Sequence, residues 1–303
     1  MVRVIANRRA RRLRQGGPLS DELFRRRTGL EVVETSSLDA LDDVARAIAA
    51  EPGPVLLAGG DGSYMAGLSA LARAFGERPL PPIGLLPGGT VCSVARNWGL
   101  GRDHVTYTRD LLDAVAHGTA KMRKRPTLRV GERVGFIFGS GLVARFFEAY
   151  EKAGAGGTGT AARIVAAVFG GSFVGSPFAR RILSPMPCHL GIDDETAPFD
   201  RVSLVCASVV RDLGLGMKLL YRAGERHDRF HVVATPLGTM RLGPQMPLVL
   251  AGRPLLGPKI DALARSLVLR FEDGRGVYVL DGDLFHEDDV EVRPGPVIDV
   301  LTP

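Results

Sequence analysis

Leu56-Leu57-Ala58-Gly59-Gly60-Asp61-Gly62-Ser63 is the stretch that decides the fold. Pro54 to Ala58 is an apolar run of the buried-strand kind. It passes straight into three glycines around one aspartate, and Ser63 to Phe75 follows with helical spacing. Glycines directly after a strand let the backbone approach a ligand without Cβ clashes. A helix start offers amides with no intrahelical acceptor and the positive end of a dipole. Together these suit a phosphate. Asp61, held beside it, would bind magnesium or orient an acceptor hydroxyl. The competing reading is a tight strand-to-helix turn with no ligand.

The same pattern recurs downstream. Ile83 to Leu86 reads as a strand, Pro87-Gly88-Gly89-Thr90 as its turn, and Val91 to Trp98 as a helix. Upstream, Val2 to Ala6 and Leu30 to Val33 are candidate strands. Ser37 to Ala50 carries Leu38, Leu41, Val44, Ala45 and Ile48 on one face, with Ser36 or Ser37 as its cap. Repeated β–α order predicts a parallel sheet with helices on its faces. Ligands bind such sheets at the C-terminal ends of the strands, where both glycine turns fall.

Beyond residue 124 the texture changes. Leu128 to Val130, Gly135 to Phe138, Arg201 to Val210, Phe230 to Ala234, Leu267 to Phe271 and Val277 to Leu280 read as strands separated by turn signals. They predict a mostly antiparallel β domain. Ala144 to Phe173 is a helical or glycine-broken insert, with Gly154 to Gly159 as a loop. There is no internal repeat.

Composition bounds the class. At 303 residues with 45% hydrophobic and 24% charged residues, the chain reads as two folded domains and excludes wholesale disorder. Cys92, Cys188 and Cys206 give neither a disulfide framework nor a zinc spacing, which fits a reducing compartment. No apolar stretch reaches the ~20 residues that span a bilayer, and no secretory h-region is visible. The net charge is +6, and arginines crowd the start: Arg3, Arg8, Arg9, Arg11, Arg12, Arg14 and Arg25 to Arg27. Such a cluster serves phosphates, an anionic membrane or nucleic acid, or is simply a solvated face. No nucleic-acid module accompanies it. The six histidines are dispersed and read as surface or core residues. No Gly-x-Ser-x-Gly elbow anchors hydrolase chemistry.

The two glycine turns together resemble those of the diacylglycerol kinase catalytic-domain family, which includes bacterial soluble lipid kinases and the sphingosine and ceramide kinases. The resemblance extends along the chain. Val4-Ile5-Ala6-Asn7 looks like the family's first strand and nucleotide loop, and Glu34-Thr35 like its nucleotide-contacting threonine. Phe138-Gly-Ser-Gly-Leu142 is similar to the segment opening the second domain. Leu213 to Met217 with Ala223 to Phe230 resembles its glycine-rich, metal-binding stretch, and Val279-Leu-Asp-Gly-Asp283 its late acidic motif.

That resemblance implies an α/β nucleotide-binding domain over 1–124, then a β-sandwich lipid-substrate domain over 125–303, the final residues being candidates for a return to the first domain. ATP would contact Asn7, Thr35, Gly59, Gly60, Asp61, Gly62, Ser63, Gly89 and Thr90. Mg2+ would accompany it, with Asp228 the candidate metal ligand. Asp283 would be the general base for a lipid hydroxyl and Asp61 a second catalytic residue; Asp281 would hold the turn. The acceptor would be a neutral lipid: diacylglycerol, or ceramide or a sphingoid base. The implied setting is cytoplasmic, peripheral at the inner membrane face, with no nucleic-acid partner and a homodimer as a family habit.

This sequence departs from the family at several positions. Ser63 replaces threonine, Arg8 follows Asn7 where proline is usual, and Cys92 and Ser93 replace polar family residues. Asp283 replaces glutamate and is one methylene shorter. Misplacement of about an ångström costs on the order of 100-fold in rate. These departures motivate an alternative, a nucleotide- or lipid-binding regulator that kept the fold. Phosphofructokinases and NAD kinases share the Gly-Gly-Asp-Gly turn, but their companion motifs are missing. Finally, Ile164 to Phe173, with Arg163 before it and Arg180-Arg181 after, reads as an ordinary core helix or as a lid facing a membrane.

Overall fold

The computed structural model describes residues 2–7, 30–89, 92–100, 103–154, 157–272 and 276–303. Thr90, most of the N-terminal arginines and parts of two expected loops lie outside them. The chain runs β1 (Val2–Ala6), β2 (Leu30–Glu34), α1 (Leu38–Ala50), β3 (Val55–Gly59), α2 (Asp61–Phe75), β4 (Ile83–Pro87), α3 (Ser93–Asn97), α4 (His104–Ala116) and β5 (Lys121–Arg125). It continues through β6 (Leu128–Val130), β7 (Arg133–Gly135), β8 (Ile137–Gly141), α5 (Leu142–Lys152), α6 (Thr158–Val174), α7 (Pro177–Leu183) and β9 (Met186–Ile192). Then come β10 (Glu195–Thr196), β11 (Arg201–Val202), β12 (Leu204–Ser208), β13 (Phe230–Thr235), α8 (Thr239–Leu242) and α9 (Met246–Leu250). The chain closes with β14 (Ile260–Ala264), β15 (Leu267–Phe271), β16 (Gly276–Leu280), β17 (Asp283–Glu287), β18 (Asp289–Pro294) and β19 (Ile298–Thr302). Contacts divide it into two units: residues 1–127, 132–135 and 295–303, and residues 128–131 and 136–294.

The first unit is an α/β sheet in the order β2-β1-β3-β4-β19-β5. Neighbours are parallel except β5, which runs antiparallel to β19. β3 and β4 are buried along their whole length, matching their unbroken apolar sequences. α1 begins where the sequence places its cap: Ser37 Oγ accepts from Ala40 N at 3.2 Å. α2 lies over Leu57, where a Cβ on Gly67 would come within 2.8 Å of the leucine side chain. The decisive topological fact is that β1 has β2 on one side and β3 on the other. The strand order reverses there, and a crevice opens beyond the C-terminal ends of β1 and β3.

The second unit holds two antiparallel sheets, as expected for a β-sandwich. One is β10-β9-β15-β18-β6, with β11 also against β9; the other is β14-β13-β12-β8-β16-β17. β16 and β17 form a hairpin closed by Asp281-Gly282, both at positive φ (51° and 100°), the backbone of a two-residue primed turn. α5, α6 and α7 pack with α8 and α9 over a cluster that includes Ile164, Leu183, Leu204, Leu220 and Leu242.

Several expected boundaries move for local reasons. The strand expected over Gly135 to Phe138 breaks at Phe136, because the Asp281 carboxylate takes the amides of Phe136 (3.0 Å) and Ile137 (2.9 Å). Arg201 to Val210 divides at Ser203, whose N–H donates to Thr235 O while its own carbonyl accepts from Leu142 N. The helix expected from Ser63 starts at Asp61. The one expected from Val91 starts at Ser93, after Cys92 in the left-handed region. The loop expected to end at Gly159 gives way to α6 at Thr158.

Candidate active site

Two glycine loops meet at the C-terminal edge of the first sheet. Gly88 N and Gly89 N both donate to Gly59 O, at 2.7 and 3.1 Å. The backbones touch: a Cβ on Gly89 would lie 2.6 Å from Gly60 Cα. A Cβ on Gly59 would strike Ser63 Oγ at 2.4 Å. Glycine is therefore required here by close approach, and Gly60 itself has an ordinary extended backbone.

Asp61 opens α2, and both of its oxygens reach the start of α3. Ser93 N donates to Oδ2 at 2.7 Å and Val94 N to Oδ1 at 3.1 Å. The carboxylate thus joins the second loop to the first and sits at the positive ends of two helices. Burial raises its pKa, and the amides of Ser93 and Val94, the Ser93 hydroxyl and Arg96 oppose that rise. Beneath the loops, Cys92 is buried at φ 47°, its sulfur 3.9 Å from Gly59 O.

Asn7 leaves β1 beside this pair and donates from Nδ2 to Ser63 Oγ at 2.9 Å. A cavity of about 230 Å³ opens there, lined by Ile5, Asn7, Thr35, Ser37, Leu57 and Ser63 among others. Asn7, Thr35 and Ser63, separate in sequence, are brought to one wall of one cavity at the switch point. Ser36 and Ser37 also line it; the sequence reading gave them only a capping role. The hydroxyl run Thr35-Ser36-Ser37 at a strand-to-helix junction was the available signal.

In the second unit, Asp283 is the first residue of β17, opposite Leu280 across the hairpin. Burial raises its pKa, and Glu151 on α5 adds to the rise. The residue is nonetheless exposed at the surface beside the turn. Asp281 holds the turn by accepting from the Phe136 and Ile137 amides.

Asp228, the expected metal ligand, is paired with two arginines. Its carboxylate accepts from Arg226 Nε at 2.9 Å and Arg265 Nη2 at 2.6 Å, and the two guanidiniums hold its pKa far below the ordinary carboxylate range. Among the described residues no group of three acidic, histidine or cysteine side chains is arranged to hold a metal ion.

One polar cluster escaped the sequence reading. His231, fully buried, has Nε2 2.8 Å from Asp261 Oδ1. Arg222 N donates to its Nδ1 at 3.3 Å, and Tyr221 donates to the same aspartate at 3.0 Å. The acceptor role of Nδ1 places the imidazole proton on Nε2, and burial lowers the histidine's pKa. The cluster fastens the segment before β13 to the sheet.

The first unit is an α/β sheet with paired glycine loops at its switch point, and the second holds two antiparallel sheets. Residues 1–123 match the model of the diacylglycerol kinase catalytic domain. The chain is similar in fold to a Bacillus anthracis protein assigned as a diacylglycerol kinase, at 16% identity and TM-score 0.74, over all of this chain and 97% of that one. A second Bacillus anthracis diacylglycerol kinase structure gives 13%, 0.65, and coverage of 100% and 96%. An Archaeoglobus fulgidus NAD kinase in complex with ATP gives 12%, 0.51, and coverage of 100% and 93%. No curated protein matches the chain.

Proposed function

We propose that this protein is a kinase that transfers the γ-phosphoryl group of ATP to a hydroxyl of a neutral lipid, diacylglycerol before ceramide or a sphingoid base. The observation that carries the reading is the joining of Asn7, Thr35 and Ser63 around one cavity beside the Gly59–Gly89 loop contact. The loops present first-turn amides of α2 to phosphate oxygens, and Asn7 and the hydroxyls supply neutral partners. Asp283 takes the proton of the lipid hydroxyl. As that O–H bond breaks, an O–P bond forms to the γ-phosphorus, the bridging β–γ O–P bond breaks and ADP leaves. A raised pKa suits a base that must accept a proton near neutrality. The described residues offer no protein-held magnesium site, so no step is assigned to the ion. An ATP donor and a lipid acceptor place the reaction at the inner face of a membrane, met peripherally from the cytoplasm.

The test is transfer of labelled phosphate from ATP into mixed micelles carrying diacylglycerol, ceramide, sphingosine or monoacylglycerol. Label in one lipid, absent with Asp283→Asn, supports the reading. No label in any lipid, with ATP binding confirmed by calorimetry, overturns the lipid acceptor.

A further inference from the structure

We propose that the helical layer of the second unit, formed by α6 to α9, is a docking face for an anionic lipid bilayer. α6 buries Ile164, Val168 and Ser172 at four-residue spacing. A helix with one buried side in water should be polar on the other. Here the outward side carries Ala162, Ala166, Ala167, Gly170, Phe173 and Val174, with Arg163 as its only charge. Phe173 is 54% exposed and Val174 77%.

The neighbouring segment repeats the pattern. Met240 (62%), Leu250 (47%) and Leu256 (66%) are also open to solvent. The layer is one packed body: a Cβ on Gly243 would strike Ser172 Cβ at 2.2 Å. Gln245 accepts from Leu256 N at 2.6 Å and donates to Arg241 O at 2.8 Å. Five of the eight large exposed hydrophobics among the described residues fall in this layer, so they are not scattered surface noise.

Charge selects the occupant. Residues 157–185 and 236–259 contain no aspartate or glutamate, in a chain with 33 of them. The exposed cations are Arg163, Arg180, Arg181, Arg241 and Arg253. Protruding apolar tips among arginines match hydrocarbon beneath anionic headgroups; nucleic acid offers the tips nothing. Among the described residues no single helix is long and apolar enough to cross a membrane, and α6 and α7 are bent by 104° to one another, which suits a layer seated on a bilayer surface.

The inference deepens the lipid-kinase reading and takes its biological sense from it, but its test needs no turnover. Sedimentation of the full chain with phosphatidylcholine vesicles is compared with vesicles of phosphatidylcholine mixed with phosphatidylglycerol. Wild type is expected to pellet with the anionic vesicles and to be released by salt. Phe173→Glu with Val174→Glu, and separately Arg180→Glu with Arg181→Glu, are expected to lose about tenfold or more in partitioning. Both should keep the thermal midpoint and the phosphorylation of detergent-dispersed lipid. Folded variants that pellet like wild type overturn the docking face, as does wild type that ignores anionic vesicles yet binds DNA or an acidic polypeptide. Vesicle capture without phosphoryl transfer to any lipid leaves the face standing and overturns the acceptor. Transfer to lipid with undiminished variant binding does the reverse.

Discussion

Asp283 combines a raised pKa with a place at the mouth of a fixed hairpin, and both properties are testable at the level of the single residue. Replacing it with asparagine is expected to lower turnover by about 100- to 10,000-fold. A carboxylate whose folded pKa lies above its unfolded value withdraws stability as pH rises through that interval. Asp283→Asn should therefore also raise the thermal midpoint at neutral pH, which distinguishes a functional carboxylate from a structural one. Because Glu151 adds to the rise, Glu151→Gln is expected to move the acidic limb of the pH–rate profile to lower pH while turnover persists. Gly89→Ala should weaken ATP binding about tenfold or more in calorimetry, since its methyl group would meet Gly60 Cα. The glycine turns were legible in the sequence because close backbone approach needs that residue type itself. Glu151 was not: its influence comes from a helix packed against the hairpin, and nothing local marks it. The pairing of Asp228 was illegible for the same reason, since Arg265 reaches it from 37 positions away.

Short elements explain where pattern reading succeeds and where it fails. α3 has five residues and no side chain of its own capping it. An isolated helix of that length does not persist; the Asp61 carboxylate supplies the missing cap. Asp61→Ala would leave the Ser93 and Val94 amides without that acceptor, at a cost of about 2 kcal/mol or more. The expected outcome is a lower thermal midpoint together with lost turnover, so loss of activity alone does not make Asp61 a participant in chemistry. β3 and β4 were readable as unbroken apolar runs because they are buried along their whole length. β5, Lys-Met-Arg-Lys-Arg, was not: as an edge strand it is stabilised by one ladder with β19 and exposes charge. Met186–Ile192 and Ile260–Ala264 are half-exposed and interrupted by proline, glycine or aspartate, so periodicity understates them.

At the scale of the whole molecule, β19 stands between β4 and β5 inside the first sheet although nearly all of the second unit precedes it in sequence. Removing residues 295–303 would leave β4 and β5 without their common neighbour and open the core around Ile298 and Val300, both fully buried. The truncated chain is expected to lose ATP binding and to show a melted first unit in hydrogen exchange, while protection persists in β8, β12 and β13. The family match ends at 123 and so covers the nucleotide loops without the strand that completes their sheet.

That arrangement has a consequence for synthesis. On the ribosome the α/β half is made first but keeps a gap between β4 and β5 until the whole second unit has been read. The two β-sheets can close while the earlier half still waits for its final strand. Competence to hold ATP is then a late event in the life of each nascent chain, and a ribosome that stops early releases a product with the whole phosphate motif and no working fold around it.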